Sequence, residues 1–147
     1  MATANLKERQ RKLLRDPGFG QRVKRMDRAL YRECRRPVID IIRMAKRWLQ
    51  NEGLDLPRIE VRITEQDRHL INGSAYLNRC VIFITEDAIK RNDSDRLVRT
   101  VLHEVVHAVT GFEHDDDCPL MSPVSSAYDC LSPDELKPTF IKYIRGY

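Results

Sequence analysis

The stretch Val101-Leu102-His103-Glu104-Val105-Val106-His107-Ala108-Val109-Thr110-Gly111-Phe112-Glu113-His114 sets two histidines and a glutamate inside an otherwise apolar run. Leu97, Val98, Val101, Leu102, Val105, Val106 and Val109 recur at helical spacing. Asp93, Ser94 and Asp95 supply a cap and dipole-matching acids at one end, and Gly111 offers a left-handed stop at the other. The pattern predicts a helix that is apolar nearly all round and therefore buried in mid-domain. Ionisable groups in such a helix need a reason. Residues four apart stand one above the other on a helix, so His103 and His107 aim two imidazoles at one point. Neutral imidazole suits zinc at about 2.0–2.1 Å, and Glu104 follows the first histidine, where its carboxylate faces the open position of such an ion and serves as general base. A surface helix can carry the same letters by chance, but Val and Leu on every side argue against exposure.

The chain holds four histidines, and His103, His107 and His114 fall within twelve positions. Gly111 lets Phe112-Glu113-His114 fold back, which favours His114 as third ligand. Glu113, Asp115–Asp117 and the more distant Glu135 are the alternatives. Next comes Cys118-Pro119-Leu120-Met121-Ser122-Pro123, a turn bounded by prolines. Leu131-Ser132-Pro133-Asp134-Glu135-Leu136 then carries a capping box that opens a terminal helix. His69 stands apart from the cluster and reads as a surface residue.

The run from His103 to His114, followed by Met121-Ser122-Pro123, resembles the zinc site and Met-turn of the metzincin metallopeptidases. The stretch from Leu131 to Glu135 is similar in texture to their matrixin branch. The resemblance spans roughly residues 58–147 and is most specific over 97–136. It implies an α+β, zincin-like fold with a small mixed sheet, an active-site helix and a C-terminal helix. It also implies one catalytic Zn2+ on His103, His107 and His114, with Glu104 as general base, Met121 in the Met-turn, and hydrolysis of peptide bonds in a protein or peptide substrate. The resembled pattern places Gly three and the third ligand six residues beyond the second histidine. Here the intervals are four and seven, so strict register puts Thr110 and Glu113 in those places. Moving Gly and His together keeps the order of turn and ligand. Metzincins pair extended substrate with an edge strand above the zinc; the Gly73–Ala75 and Val81–Thr85 region resembles it in placement, with Val81 and Phe83 as substrate-binding candidates. Tyr128 is a candidate oxyanion stabiliser.

Outside this region the sequence is ordinary. The 147 residues are 41% hydrophobic and 33% charged, with a mean hydropathy of −0.52. Such values fit one globular domain and exclude wholesale disorder, collagen-like repeats and a disulfide mini-scaffold. No apolar run reaches the roughly 18 residues of a membrane span. The opening MATANLKERQRK has no apolar stretch behind it, so an intracellular protein without a membrane partner is expected. Cys34, Cys80, Cys118 and Cys130 follow no regular spacing and read as thiols, although Cys118 and Cys130 bracket the turn and could bridge in an oxidising compartment. Arg32-Glu33-Cys34-Arg35-Arg36 does not match the thiolate motif by which matrixin propeptides silence zinc.

Charge is unevenly distributed. Residues 1–50 carry 15 Lys and Arg against 5 Asp and Glu, whereas residues 51–147 carry 11 against 17. We divide the chain into a basic helical arm, 1–36, interrupted at Asp16–Gly20, and a zincin-like domain, 37–147. Pro37 is expected to open a helix through Val38, Ile41, Ile42, Ala45, Trp48 and Leu49 that stops at Gly53. Strands are expected at Arg58–Thr64 and Arg79–Thr85, with Ala75–Leu77 pairing across a turn. The arm suits an acidic protein surface or nucleic acid. A zinc endopeptidase is the leading reading. The alternatives are a metal-binding structural or interaction module of a larger assembly, and a DNA-associated zinc protease. Glu104 favours an enzyme, because a structural zinc site has no need of a general base.

Overall fold

Cys34, Val38, Ile41, Ala45 and Leu49 form one buried stripe along the first helix, α1 (Arg28–Asn51). The computed structural model describes residues 28–64, 73–76, 79–91, 94–122 and 131–146. The helix expected near 4–15, the interruption at 16–20, His69, Asp93, Pro123, Tyr128 and Cys130 lie outside the described residues, as does any Cys118–Cys130 pairing.

Helix α1 does not open at Pro37, as the sequence suggests; it starts at Arg28 and carries Pro37 inside. An interior proline forgoes one backbone hydrogen bond and crowds the preceding turn. The apolar stripe continues in register across it, from Cys34 to Val38, so core packing holds the helix together through the interruption. Arg28, Arg32, Arg35, Arg36, Arg43, Lys46 and Arg47 are all exposed. Gly53 adopts a left-handed φ of 71°, and Gly53 N–H and Leu54 N–H donate to the Gln50 and Leu49 carbonyls, a Schellman stop.

Strand β1 (Glu60–Thr64) alternates as expected, with Val61 and Ile63 buried between exposed Glu60 and Arg62. β2 (Gly73–Tyr76) and β3 (Val81–Thr85) form an antiparallel hairpin, and β3 pairs in parallel with β1, giving the order β1-β3-β2. The sheet is small and mixed. Ile82 to Thr85 are buried without alternation, as befits a strand covered on both faces. Val81 and Phe83, the substrate-binding candidates, lie on the central strand, where both sides of the β3 backbone are already paired, and the Phe83 ring packs 5.7 Å from that of Tyr76. The edge strands are β1 and β2, and of the two it is β2 that packs on α3.

A short helix, α2 (Glu86–Arg91), follows β3, with Thr85 Oγ1 accepting from Ala88 N–H at 3.0 Å as an N-cap. It leads into α3 (Ser94–Thr110), in which every residue from Val101 to Ala108 is buried. α3 packs on β2 and β3 and against α1 and the C-terminal helix, α4 (Pro133–Arg145). Ser132 and Glu135 form the expected capping box of α4. Leu136, Phe140, Ile141 and Tyr143 face the core, where the Phe140 and Trp48 rings meet at 6.3 Å. One backbone contact locks the sheet to the end of α3: Cys80, at a left-handed φ of 58°, donates its N–H to the Ala108 carbonyl and accepts from Glu60 N–H. Among the described residues no helix is long and apolar enough to cross a membrane.

Candidate metal centre

Val and Leu fill α3 around His103, Glu104 and His107, and all three side chains are buried, His107 completely. Replacing an apolar core residue by a polar one costs on the order of 1–3 kcal/mol when its polar atoms are not satisfied. Three such positions in little more than one turn burden the fold unless something else uses them.

The segment beyond α3 supplies the third imidazole. Thr110 Oγ1 donates to the Val106 carbonyl and accepts from Phe112 N–H, which carries the helix one residue beyond the resembled pattern and fixes where the chain leaves it. Gly111 then takes a left-handed φ of 74°, a conformation that side chains with a Cβ adopt rarely. The chain reverses and brings His114 Nε2 to 3.2 Å from His103 Nε2, while His107 Nε2 stands 3.1 Å from the same atom. Of the candidates for third ligand, His114 joins the cluster; neither Glu113 nor any of Asp115–Asp117 does. Glu135 is occupied in the cap of α4, where it accepts from Ser132 N–H.

Backbone carbonyls determine which way the imidazoles offer their lone pairs. His103 Nδ1 lies 2.7 Å from the Leu120 carbonyl oxygen, and His107 Nδ1 lies 2.5 Å from that of Phe112. A carbonyl oxygen can only accept, so each Nδ1 carries the proton and each Nε2 is a bare lone pair. Two lone pairs facing each other at 3.1 Å repel unless a cation lies between them. Two nitrogens bound tetrahedrally to one zinc at 2.0–2.1 Å stand about 3.3 Å apart. The cluster is close to that spacing, and its three ligand atoms all fall within 4.8 Å of one another. Protonation offers no alternative relief. Burial, with a smaller contribution from neighbouring His107, holds His103 well below its ordinary pKa. Burial likewise lowers His107 to about 4, against the Phe112 hydrogen bond. Both rings are therefore neutral donors near pH 7, and the residues present fit a zinc ion.

Glu104 stands beside this cluster. Its Oε1 lies 3.7 Å from His103 Nε2, and its buried Oε2 has no hydrogen-bond partner among the described residues. Burial lifts its pKa to about 8, offset in part by the positive charge of Arg99. Gly73 of β2 makes room for it: a Cβ there would sit 3.2 Å from Glu104 Cγ and 2.9 Å from the Phe83 carbonyl oxygen. Met121 is fully buried, and its carbonyl accepts from Asp115 N–H.

Sequence reasoning misses two supporting residues, Arg99 and Tyr143, and the part played by a third, Gly73. Arg99 is 5% exposed and donates from Nε to the Pro119 carbonyl and from a terminal nitrogen to that of Ser122, each at 2.9 Å. A cation four residues before His103 on an apolar helix was the available signal. Gly73 falls in the Gly73–Ala75 stretch named from the sequence, but the room it leaves for Glu104 shows only once β2 is seen to run against α3. Tyr143 of α4, whose hydroxyl donates to Asp115 Oδ2 at 3.4 Å and whose ring meets Phe112 at 5.4 Å, steadies the segment bearing His114 and gives no sequence signal.

A buried helix bearing His-Glu-x-x-His, packed on a small mixed sheet with a third histidine folded back onto it, defines a zincin-type fold. Comparison with protein families agrees. The SprT-like family model matches residues 39–118, more than half of the chain, and the protein belongs to the SprT-like family, whose members are zinc-binding and metallopeptidase-like. The match takes in α1 from Ile39, the sheet, α3 and His114; Leu120, Met121 and α4 lie beyond it. Searches of curated proteins and of solved structures found no significant match.

Proposed function

We propose that the protein is a zinc-dependent endopeptidase in which His103, His107 and His114 hold a single ion and Glu104 is the general base. One observation carries the reading: three imidazoles converge beside a buried carboxylate oxygen that has no partner among the described residues. A purely structural zinc site would close its fourth position with Cys or His, and an orphaned carboxylate there would be a burden without a use.

Zinc, when bound, polarises the substrate carbonyl, acidifies a water and, by its charge, draws the Glu104 carboxyl down toward the range of a working base. Glu104 Oε2 takes the proton of the attacking water and returns it to the departing amine, so one group serves as base and then as acid. The Leu120 and Phe112 carbonyls keep His103 and His107 in the tautomer that presents Nε2. Substrate adds as a further strand along the outer edge of β2, next to Gly73 and Glu104, where backbone pairing selects extended peptide over sequence. Met121 serves as a Met-turn residue of the metzincin kind, an apolar floor to the site. The basic first third of the chain, through Arg28, Arg32, Arg35 and Arg36 of α1, docks the protease on an acidic partner, nucleic acid or protein.

Glu104→Gln tests the mechanism. The variant is expected to keep zinc at one equivalent, measured by metal analysis, and to lose hydrolysis of an unfolded protein substrate by at least about a thousandfold, the range of a general base. Undiminished hydrolysis would remove Glu104 from the reaction.

A further inference from the structure

We infer that Arg99 is a positioning residue for the metal centre: by clamping the 119–122 turn it keeps the Leu120 carbonyl on His103 Nδ1 and so keeps His103 Nε2 a lone pair. The inference rests on the metal-site reading above and assigns part of that site to a residue that never touches the ion.

The argument starts from burial. An arginine that is 5% exposed is retained where the donors of its guanidinium are used. Those of Arg99 reach the carbonyls of Pro119 and Ser122, which flank Leu120 and Met121 on either side. Between them, the Leu120 carbonyl lies 2.7 Å from His103 Nδ1. Arg99 and His103 are four residues apart on α3, so the two side chains leave the helix one turn apart and grip the same short turn from neighbouring positions. The turn is also tied down at its ends, by Ser122 N–H to the Cys118 carbonyl and by Asp115 N–H to that of Met121. Arg99 joins it at two points to the helix bearing the ligands, beside the single contact made by His103 itself. A planar fork satisfies two carbonyls in fixed directions, which the single ammonium of a lysine does not reproduce. Without the clamp the Leu120 carbonyl is free to drift. The His103 proton is then shared between its two nitrogens, and an Nε2 that carries a proton is no ligand.

The test uses the full chain as parent, Arg99→Lys and Arg99→Gln. Long-range proton–nitrogen correlation spectra of the metal-free proteins read the imidazole tautomers directly. The parent should show His103 protonated at Nδ1, and both variants should show a mixture with the Nε2-protonated form. Zinc affinity, by competition with a chromophoric chelator, should fall about tenfold or more in both, the usual effect of removing an outer partner of a ligating histidine. Circular dichroism and thermal melting of the metal-free variants should show the fold retained. Unaltered tautomer and zinc affinity in both variants overturn the inference. So does loss of the folded metal-free state in both, which would make Arg99 a residue of the fold alone. A parent that binds no zinc sinks the metal-site reading instead, and the tautomer spectra, recorded without metal, still decide the part played by Arg99.

Discussion

Helices α1 and α3 both rest on a stripe of buried apolar residues, and they dispose of their charges in opposite ways. On α1 every Lys and Arg is exposed, from Arg28 to Arg47, while Cys34, Val38, Ile41, Ala45 and Leu49 take the interior. That arrangement serves stability. On α3 Arg99, His103, Glu104 and His107 are buried among Val101, Leu102, Val105 and Val106. Apolar residues there would hold the core together better. The difference separates a helix that supports the domain from one that surrenders stability to hold four ionisable groups in the interior. It also accounts for how α3 is anchored: the Cys80 and Ala108 contact and the Arg99 clamp both fasten the costly helix to its surroundings.

The contrast can be tested by removing one charged or polar group at a time. On the α3 side the largest effect is expected at His114. His114→Ala should weaken zinc by about a hundredfold or more, beyond the loss of an outer partner, whereas Glu113→Ala should change it less than about threefold. Equilibrium dialysis of the two variants decides, and a reversed order would return the third ligand to Glu113.

Next in size is the burden of Glu104 itself. Its folded pKa of about 8 stands above the ordinary 4.5, so its contribution to stability is fully present below 4.5 and is lost as pH rises through 8. His103 and His107 act with the opposite sign: their depressed pKa values favour the fold above 6.5 and are felt as pH falls. Between pH 6.5 and 8 the glutamate alone of these three groups titrates. Metal-free parent should lose about 2 kcal/mol over that window relative to metal-free Glu104→Gln, read by denaturant unfolding in chelator. Parallel pH profiles would mean that the carboxyl is solvated in solution.

The smallest effect belongs to α1. Arg32→Gln, Arg35→Gln and Arg36→Gln, combined, should leave the unfolding free energy within about 0.5 kcal/mol. The same variant should weaken salt-sensitive binding to duplex DNA; an unchanged affinity would take α1 off the docking surface.

Local pattern made much of this legible in advance. The period of Val61 and Ile63 in β1, the buried run of α3, the Gly53 and Gly111 stops and the Ser132 and Glu135 box are all short-range signals, and each forms as expected. The start of α1 departs from the local pattern because the proline rule is local while the stripe that overrides it is packed from afar. Chain order does not reveal strand order, so of the Gly73–Ala75 and Val81–Thr85 region only the three-dimensional sheet shows that the first lies at an edge and the second at the centre.

Ligand chemistry belongs to the letters themselves: two imidazoles four apart on an apolar helix, a carboxylate between them and a third histidine past a glycine are a statement about spacing, and spacing along a helix translates directly into direction. Folding in three dimensions had to decide which nitrogen of each ring is bare, which of Glu113 and His114 turns inward, and why Gly73 and Arg99 are needed at all. Those outcomes depend on carbonyls and side chains brought together from β2, the 119–122 turn and α4, segments whose separation along the chain leaves no periodic trace.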